Sequence, residues 1–170
     1  KSYAPVVKAR AYISALQTVS EVNSVDGFKA HFNPALTHWS PIGQEEVVKY
    51  LGSDISNLVA RGDQPEEVAR TLVAYIEPHL FSNNVRHLLM GGHFSYALWE
   101  NYGRKPEDYV RAEEYYTAAY RIGPTLPPAL YSLFDLAMKG GQLEKVRAVG
   151  NEILRLWPDA EDVKAVLATP

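Results

Sequence analysis

The chain has 170 residues, 46% of them hydrophobic, with 17 basic and 20 acidic side chains for a formal charge of −3 and no cysteine. That apolar content supports one compact domain or a short helical array and excludes wholesale disorder, while charges interspersed without a long run of one sign argue against a nucleic-acid surface or a polybasic anchor. The lack of cysteine excludes disulfides, thiol nucleophiles and thiolate zinc sites, and no apolar run approaches the roughly 20 residues that a spanning helix needs.

Apolar residues recur at helical spacing from Val6 to Val22, namely Val7, Ala11, Ile13, Leu16, Val19 and Val22. No signal peptide is visible ahead of them. Because helix-like sequence begins almost at Lys1, the chain is expected to be excised from a longer one. Asn23-Ser24 reads as a break, followed by a short helix with Asp26 in its first turn and Phe28, Phe32, Ala35 and Leu36 on one face. Pro34 lies inside it and is expected to kink or shorten it. After Trp39-Ser40-Pro41, a helix starting at Ser40 or Gly43 should run to about Arg61, with Gly62 as its C-cap. Asp63-Gln64-Pro65-Glu66 reads as N-cap, early proline and acid. The helix it opens carries Val68, Leu72, Ile76 and Leu80, and Pro78 should bend it or end it near Glu77.

Ser82-Asn83-Asn84 is a polar break. Further helices are predicted over Val85 to Tyr102-Gly103, Pro106 to Ile122, Pro127 to Lys139 and Leu143 to Leu156. A last short helix, Ala160 to Leu167, should cap the array. The fold class expected is all-α, with about eight or nine helices.

Two of these helices end on prolines, Pro124 and Pro158. Counting back from Pro124 along one helical face, Ala119, Tyr116 and Ala112 follow in turn. Small, aromatic and small residues in that register resemble the second helix of a tetratricopeptide repeat, whose period of about 34 residues is also the separation of the two prolines. Counting back from Pro158, Leu130, Leu133 and Phe134 take the first-helix packing positions. Gly141 is then the turn glycine, and Val146, Gly150 and Ile153 take the second-helix positions. Gly150 departs from the pattern, because an aromatic is usual there. In the preceding repeat, placing Gly92 at the small first-helix position requires about eight extra residues, or one added turn per helix. Four of them could be Arg104 to Glu107. Phe28, Phe32 and Ala35 share the spacing of Ala112, Tyr116 and Ala119 and suggest an earlier, degenerate repeat. The expected organisation is therefore repeat-like hairpins over residues 1–83 and tetratricopeptide repeats with a capping helix over 84–170, in one right-handed α-solenoid. A plain helical bundle is the alternative for the first part.

The order of parts also resembles one particular group. A first helix is followed by Phe32-Asn33-Pro34-Ala35-Leu36, an aromatic-Ser-Pro turn, a Gly-Gln-Glu-Glu helix start at Gly43 to Glu46, and then repeats. This is similar to the C-terminal soluble region of O-antigen-ligase-like bacterial membrane proteins, although Pro34 departs from the usual pattern. The resemblance implies an extracytoplasmic repeat domain beside a membrane portion that carries the glycosyl-transfer chemistry. No catalytic residue of that family maps onto this chain. A free-standing adaptor, which would be cytoplasmic, and a glycan-binding accessory domain are the alternatives.

The residues themselves offer little chemistry. His31, His38, His79, His87 and His93 form no i, i+4 zinc pair around a glutamate. Gly140-Gly141 suits a left-handed turn rather than a phosphate loop. Gly91-Gly92 falls mid-helix, where close helix approach would offset its cost. No Gly-x-Ser-x-Gly elbow is present. The expectation is a non-enzyme without metal or cofactor, whose partner is a protein or peptide, or alternatively a surface glycan. Its groove would be lined by first helices, through Arg86, His93 and Tyr96 on one and Tyr131, Asp135 and Met138 on the next. Tyr116 is expected in the core.

Overall fold

A computed structural model describes residues 24–37 and 41–168, with side chains of 41–43 left aside. The predicted helix Val6–Val22 and the Trp39-Ser40 turn lie outside the described residues. Everything regular among the described residues is helical. The chain divides into two compact units, one ending at Leu80 and one beginning at Phe81.

In the first unit α1 spans Val25–Thr37, α2 Pro41–Arg61 and α3 Glu66–Ile76. The Ser24 hydroxyl caps α1 by accepting from the Gly27 N–H at 3.0 Å. The helix passes through Pro34 and ends three residues later, where the Thr37 hydroxyl donates to the Asn33 carbonyl at 2.8 Å. Its buried residues are Phe32, Ala35 and Leu36. The 21-residue α2 starts on Pro41, a position where the missing N–H costs nothing. It buries Val47, Val48, Leu51, Ile55 and Val59, and Gly62 follows it at φ 67°.

Two expectations need correction around α3. Asp63 does not cap the helix; Pro65 holds the cap position, with no side-chain cap. The Asp63 carboxylate instead faces Arg61 at 3.4 Å and accepts from Gln64 at 3.2 Å. Leu80 does not extend the helix, because Pro78 turns the chain into a 3-10 segment, Glu77–His79. The buried stripe of α3 is Ala69, Leu72, Val73 and Ile76. Tyr75 ties α3 to α1, its hydroxyl donating to the Asn33 side chain at 2.8 Å. Burial pushes its pKa to about 12, so it keeps that proton near neutrality.

The second unit holds α4 (Val85–Asn101), α5 (Pro106–Ile122), α6 (Pro127–Lys139), α7 (Leu143–Leu156) and α8 (Glu161–Leu167). Each packs on its chain neighbours, and α4 also touches α6. Asn84 caps α4, its side-chain oxygen accepting from the N–H groups of Arg86 and His87 at 3.0 and 3.3 Å. α4 and α6 end alike. After α4 the Arg104 N–H reaches back to the Trp99 carbonyl at 3.0 Å; after α6 the Gln142 N–H reaches Ala137 at 2.9 Å. Both reversals place a glycine at positive φ, Gly103 at 91° and Gly141 at 66°, where a Cβ would be strained. The predicted end of α4 at Tyr102-Gly103 thus belongs to the turn.

The extra residues of the α4–α5 hairpin lie mainly within helices. α4 and α5 have 17 residues each, against 13 and 14 in α6 and α7. Of Arg104 to Glu107 only the first two sit in the connection.

Gly91 and Gly92 are buried, but it is side chains of α5 that lie over them rather than its backbone. A Cβ on Gly91 would stand 2.6 Å from the Tyr115 ring, and one on Gly92 would strike the Tyr116 ring.

Candidate functional site

A hollow of about 410 Å³ opens on the second unit, lined by His93, Tyr96, Tyr116, Pro128, Tyr131, Ser132 and Asp135. α4 contributes the first two and α6 the last four. α5 contributes Tyr116, which rises between them. On α6 the lining falls at 128, 131, 132 and 135, the spacing of one helical face.

Helix geometry aims these side chains. Leu130, Phe134 and Ala137 turn into the core with Val146 and Ile153, so the opposite edge of α6 presents Tyr131, Ser132 and Asp135. On α4, Trp99 is buried with Ala112, Tyr116 and Leu136, while Tyr96 packs partly against them. The rings of Tyr96 and Trp99 lie 6.1 Å apart. Arg104 covers another part of Trp99 at 4.8 Å.

The polar groups of the hollow form two links. The Tyr96 hydroxyl lies within hydrogen-bonding reach of the Asp135 and Glu100 carboxylates, and its single proton serves one at a time. Burial first, then these two carboxylates, push its pKa well above the ordinary tyrosine value. The Ser132 hydroxyl lies within hydrogen-bonding reach of the Tyr116 hydroxyl. Tyr116 is nevertheless pushed well up, by burial above all and then by the neighbouring Tyr96 and Asp135. Tyr131 is raised too, by burial and then by Asp162, and its ring lies 6.3 Å from Trp157.

His93 stands at the mouth. Its residue surface is exposed, but one side of the ring lies edge-on to Tyr116 at 5.7 Å. That partial desolvation lowers its pKa below the usual imidazole value. Near neutral pH the imidazole is therefore uncharged, and all three phenols keep their protons.

Four of the six sequence-predicted groove residues, His93, Tyr96, Tyr131 and Asp135, meet in this hollow. Arg86 and Met138 do not line it. Arg86 is exposed in the first turn of α4, and Met138 is 37% exposed a turn beyond Asp135. Tyr116, Pro128 and Ser132 were missed. The last two follow from the helical face shared with Tyr131 and Asp135. Tyr116 is in the core as expected, only 2% exposed, yet it also contributes to the lining.

Among the described residues no group of three or more His, Asp or Glu could hold a metal ion, and no helix is long and apolar enough to cross a membrane. Comparison with known proteins returns no matching family model, no matching curated protein and no matching solved structure.

Proposed function

We propose that this chain is a non-catalytic recognition scaffold of tetratricopeptide type that grips an extended peptide segment of a protein partner in the hollow between α4 and α6. The observation that carries this reading is the hollow itself. It is open, rich in tyrosine and built from the first helices of two successive hairpins, the surface on which repeat proteins hold extended ligands. The buried positions support the repeat. Ala112, Tyr116 and Ala119 correspond to Val146, Gly150 and Ile153, each one repeat period further along the chain, and all six are buried. We read α1 to α3 as degenerate repeats of the same kind. Following the resemblance, its setting is the extracytoplasmic side of a surface-polysaccharide ligase-like membrane protein, where it positions a partner for chemistry done elsewhere.

Panning a random peptide display library on the 170-residue chain tests this. Enriched peptides should bind Tyr96→Ala and Tyr131→Ala about tenfold or more weakly, while both variants stay folded by circular dichroism. Failure to enrich any peptide, or peptides indifferent to both variants, would overturn it. A second reading, a glycan-binding accessory domain, rests on the same tyrosine rings, which can stack on sugars. Selective binding on a glycan array, lost in both variants, would establish that reading in place of the first.

A further inference from the structure

The lining of the hollow carries formal charge of one sign. Asp135 is the only formally charged residue in the lining, and Lys and Arg are absent from it. Glu100 from α4 lies behind Tyr96, and Asp162 from α8 lies near enough to Tyr131 to raise its pKa. Lys139 and Arg104 approach Glu100 at 3.7 and 3.6 Å, so two nearby cations are already engaged by that carboxylate. Asp135 keeps acceptor capacity. A carboxylate has about four lone-pair sites, and the Tyr96 hydroxyl takes one. Around it stand Tyr96 and Tyr131, whose ring faces attract cations, and the nearly buried Tyr116, which adds its edge and hydroxyl. His93 adds no opposing charge while its imidazole is neutral.

Resting on the recognition reading above, we propose that the hollow selects a cationic side chain of its peptide partner, an arginine guanidinium seated among the three tyrosines and paired with Asp135. A planar guanidinium suits this place better than an ammonium. It can donate two parallel N–H bonds to one carboxylate and lie flat on a ring at the same time. A neutral or acidic side chain would leave the carboxylate uncompensated within partly dehydrated walls, which disfavours it.

The test uses N-acetyl-L-arginine amide as probe and the uncharged, nearly isosteric N-acetyl-L-citrulline amide as control. Both are titrated into the 170-residue chain by NMR. The arginine probe should shift signals of His93, Tyr96, Tyr131 and Ser132 with a Kd on the order of 1 mM, as expected for so small a ligand. The citrulline probe should bind at least about tenfold more weakly, the discrimination expected of a hydrogen-bonded charge. Asp135→Asn should abolish that difference while preserving the circular dichroism spectrum. Equal binding of the two probes to the unmodified chain, shifts confined to residues away from the hollow, or a preference that survives in Asp135→Asn would each overturn the proposal. Its failure is distinguishable from failure of the recognition reading. Hollow-dependent peptides that carry no arginine would sink the cation and leave the scaffold. Arginine binding with no peptide enriched would do the reverse.

Discussion

The hairpins α4–α5 and α6–α7 solve one packing problem with the parts exchanged. In the first, a glycine on the first helix, Gly92, lies under an aromatic ring on the second, Tyr116. In the second, the glycine is on the second helix, Gly150, and the ring is on the first, Phe134; a Cβ on Gly150 would stand 3.0 Å from that ring and equally close to Leu167 of α8. Tyr116 and Gly150 are each buried on the second helix of their hairpin. Each pair combines one glycine with one aromatic ring, and the helix that owns the ring differs. That is how a packed interior tolerates substitution, since filled space matters more than which helix fills it. The exchange also has a consequence at the surface. Where the ring comes from α5, its far edge and hydroxyl reach the hollow. Where it comes from α6, it points into the core with Val146 and Ile153.

The largest effect should come from breaking one side of this exchange. Gly92→Phe alone puts two rings where one fits and should cost about 3 kcal/mol or more, measured by urea unfolding. Adding Tyr116→Gly recreates the arrangement of the second hairpin and should recover about 1–3 kcal/mol of that loss. A double variant at least as unstable as the sum of the singles would show that the two positions do not share one volume.

The next test sits at the neighbouring pair, Ala119 and Ile153, both fully buried. The first hairpin keeps a small residue there because Leu88 and Ala129 crowd it. Ala119→Tyr should overpack that contact and cost roughly 1–3 kcal/mol. Unchanged thermal stability would mean that the alanine face is loose, and the equivalence with Ile153 would lose its meaning.

How much of this was legible in the sequence follows from what punctuates a chain. Pro78, Pro106, Pro127, Gly103 and Gly141 act through their own backbone restrictions, so the limits of α3 to α7 could be read closely. Asp63 was misread because a cap is a geometric relation to N–H groups further on, and Pro65 had already taken the place from which it is made. The glycine–aromatic exchange was half visible. Gly150 stood out as a departure, but that Phe134 filled its space required coordinates. The hollow was legible where it depends on helical spacing, giving His93, Tyr96, Tyr131 and Asp135. Arg86 and Met138 have suitable spacing too, but the concavity ends before reaching them. No one-dimensional signal marks where a concavity ends. Tyr116 belongs to both core and lining, and burial patterns alone assign a residue to only one.

The smallest expected effect concerns what ties the two hairpins together at the surface. The Tyr120 hydroxyl on α5 donates to Glu152 on α7 at 2.8 Å, and Arg155 holds the same carboxylate at 2.7 and 2.8 Å. Hydrogen bonds from Arg155 first, and from Tyr120 second, hold the Glu152 pKa at about 2 against an ordinary value of 4.5. The folded pKa is depressed, so the unfolded chain binds the proton more readily. The contribution is therefore present above about pH 4.5 and fades as pH falls toward 2. Because the carboxylate is only partly covered, the effect should be modest and should shrink in high salt. Melting temperature measured from pH 6 to pH 2 should fall less steeply in Glu152→Gln than in the unmodified chain, and added salt should narrow the gap between them. Parallel pH profiles would mean that the Tyr120–Glu152–Arg155 link does not persist in solution. A loss of slope in Glu152→Gln and not in Glu113→Gln would separate this link from the nearby Lys145–Glu113 pair, which also bridges α5 and α7, at 2.6 Å.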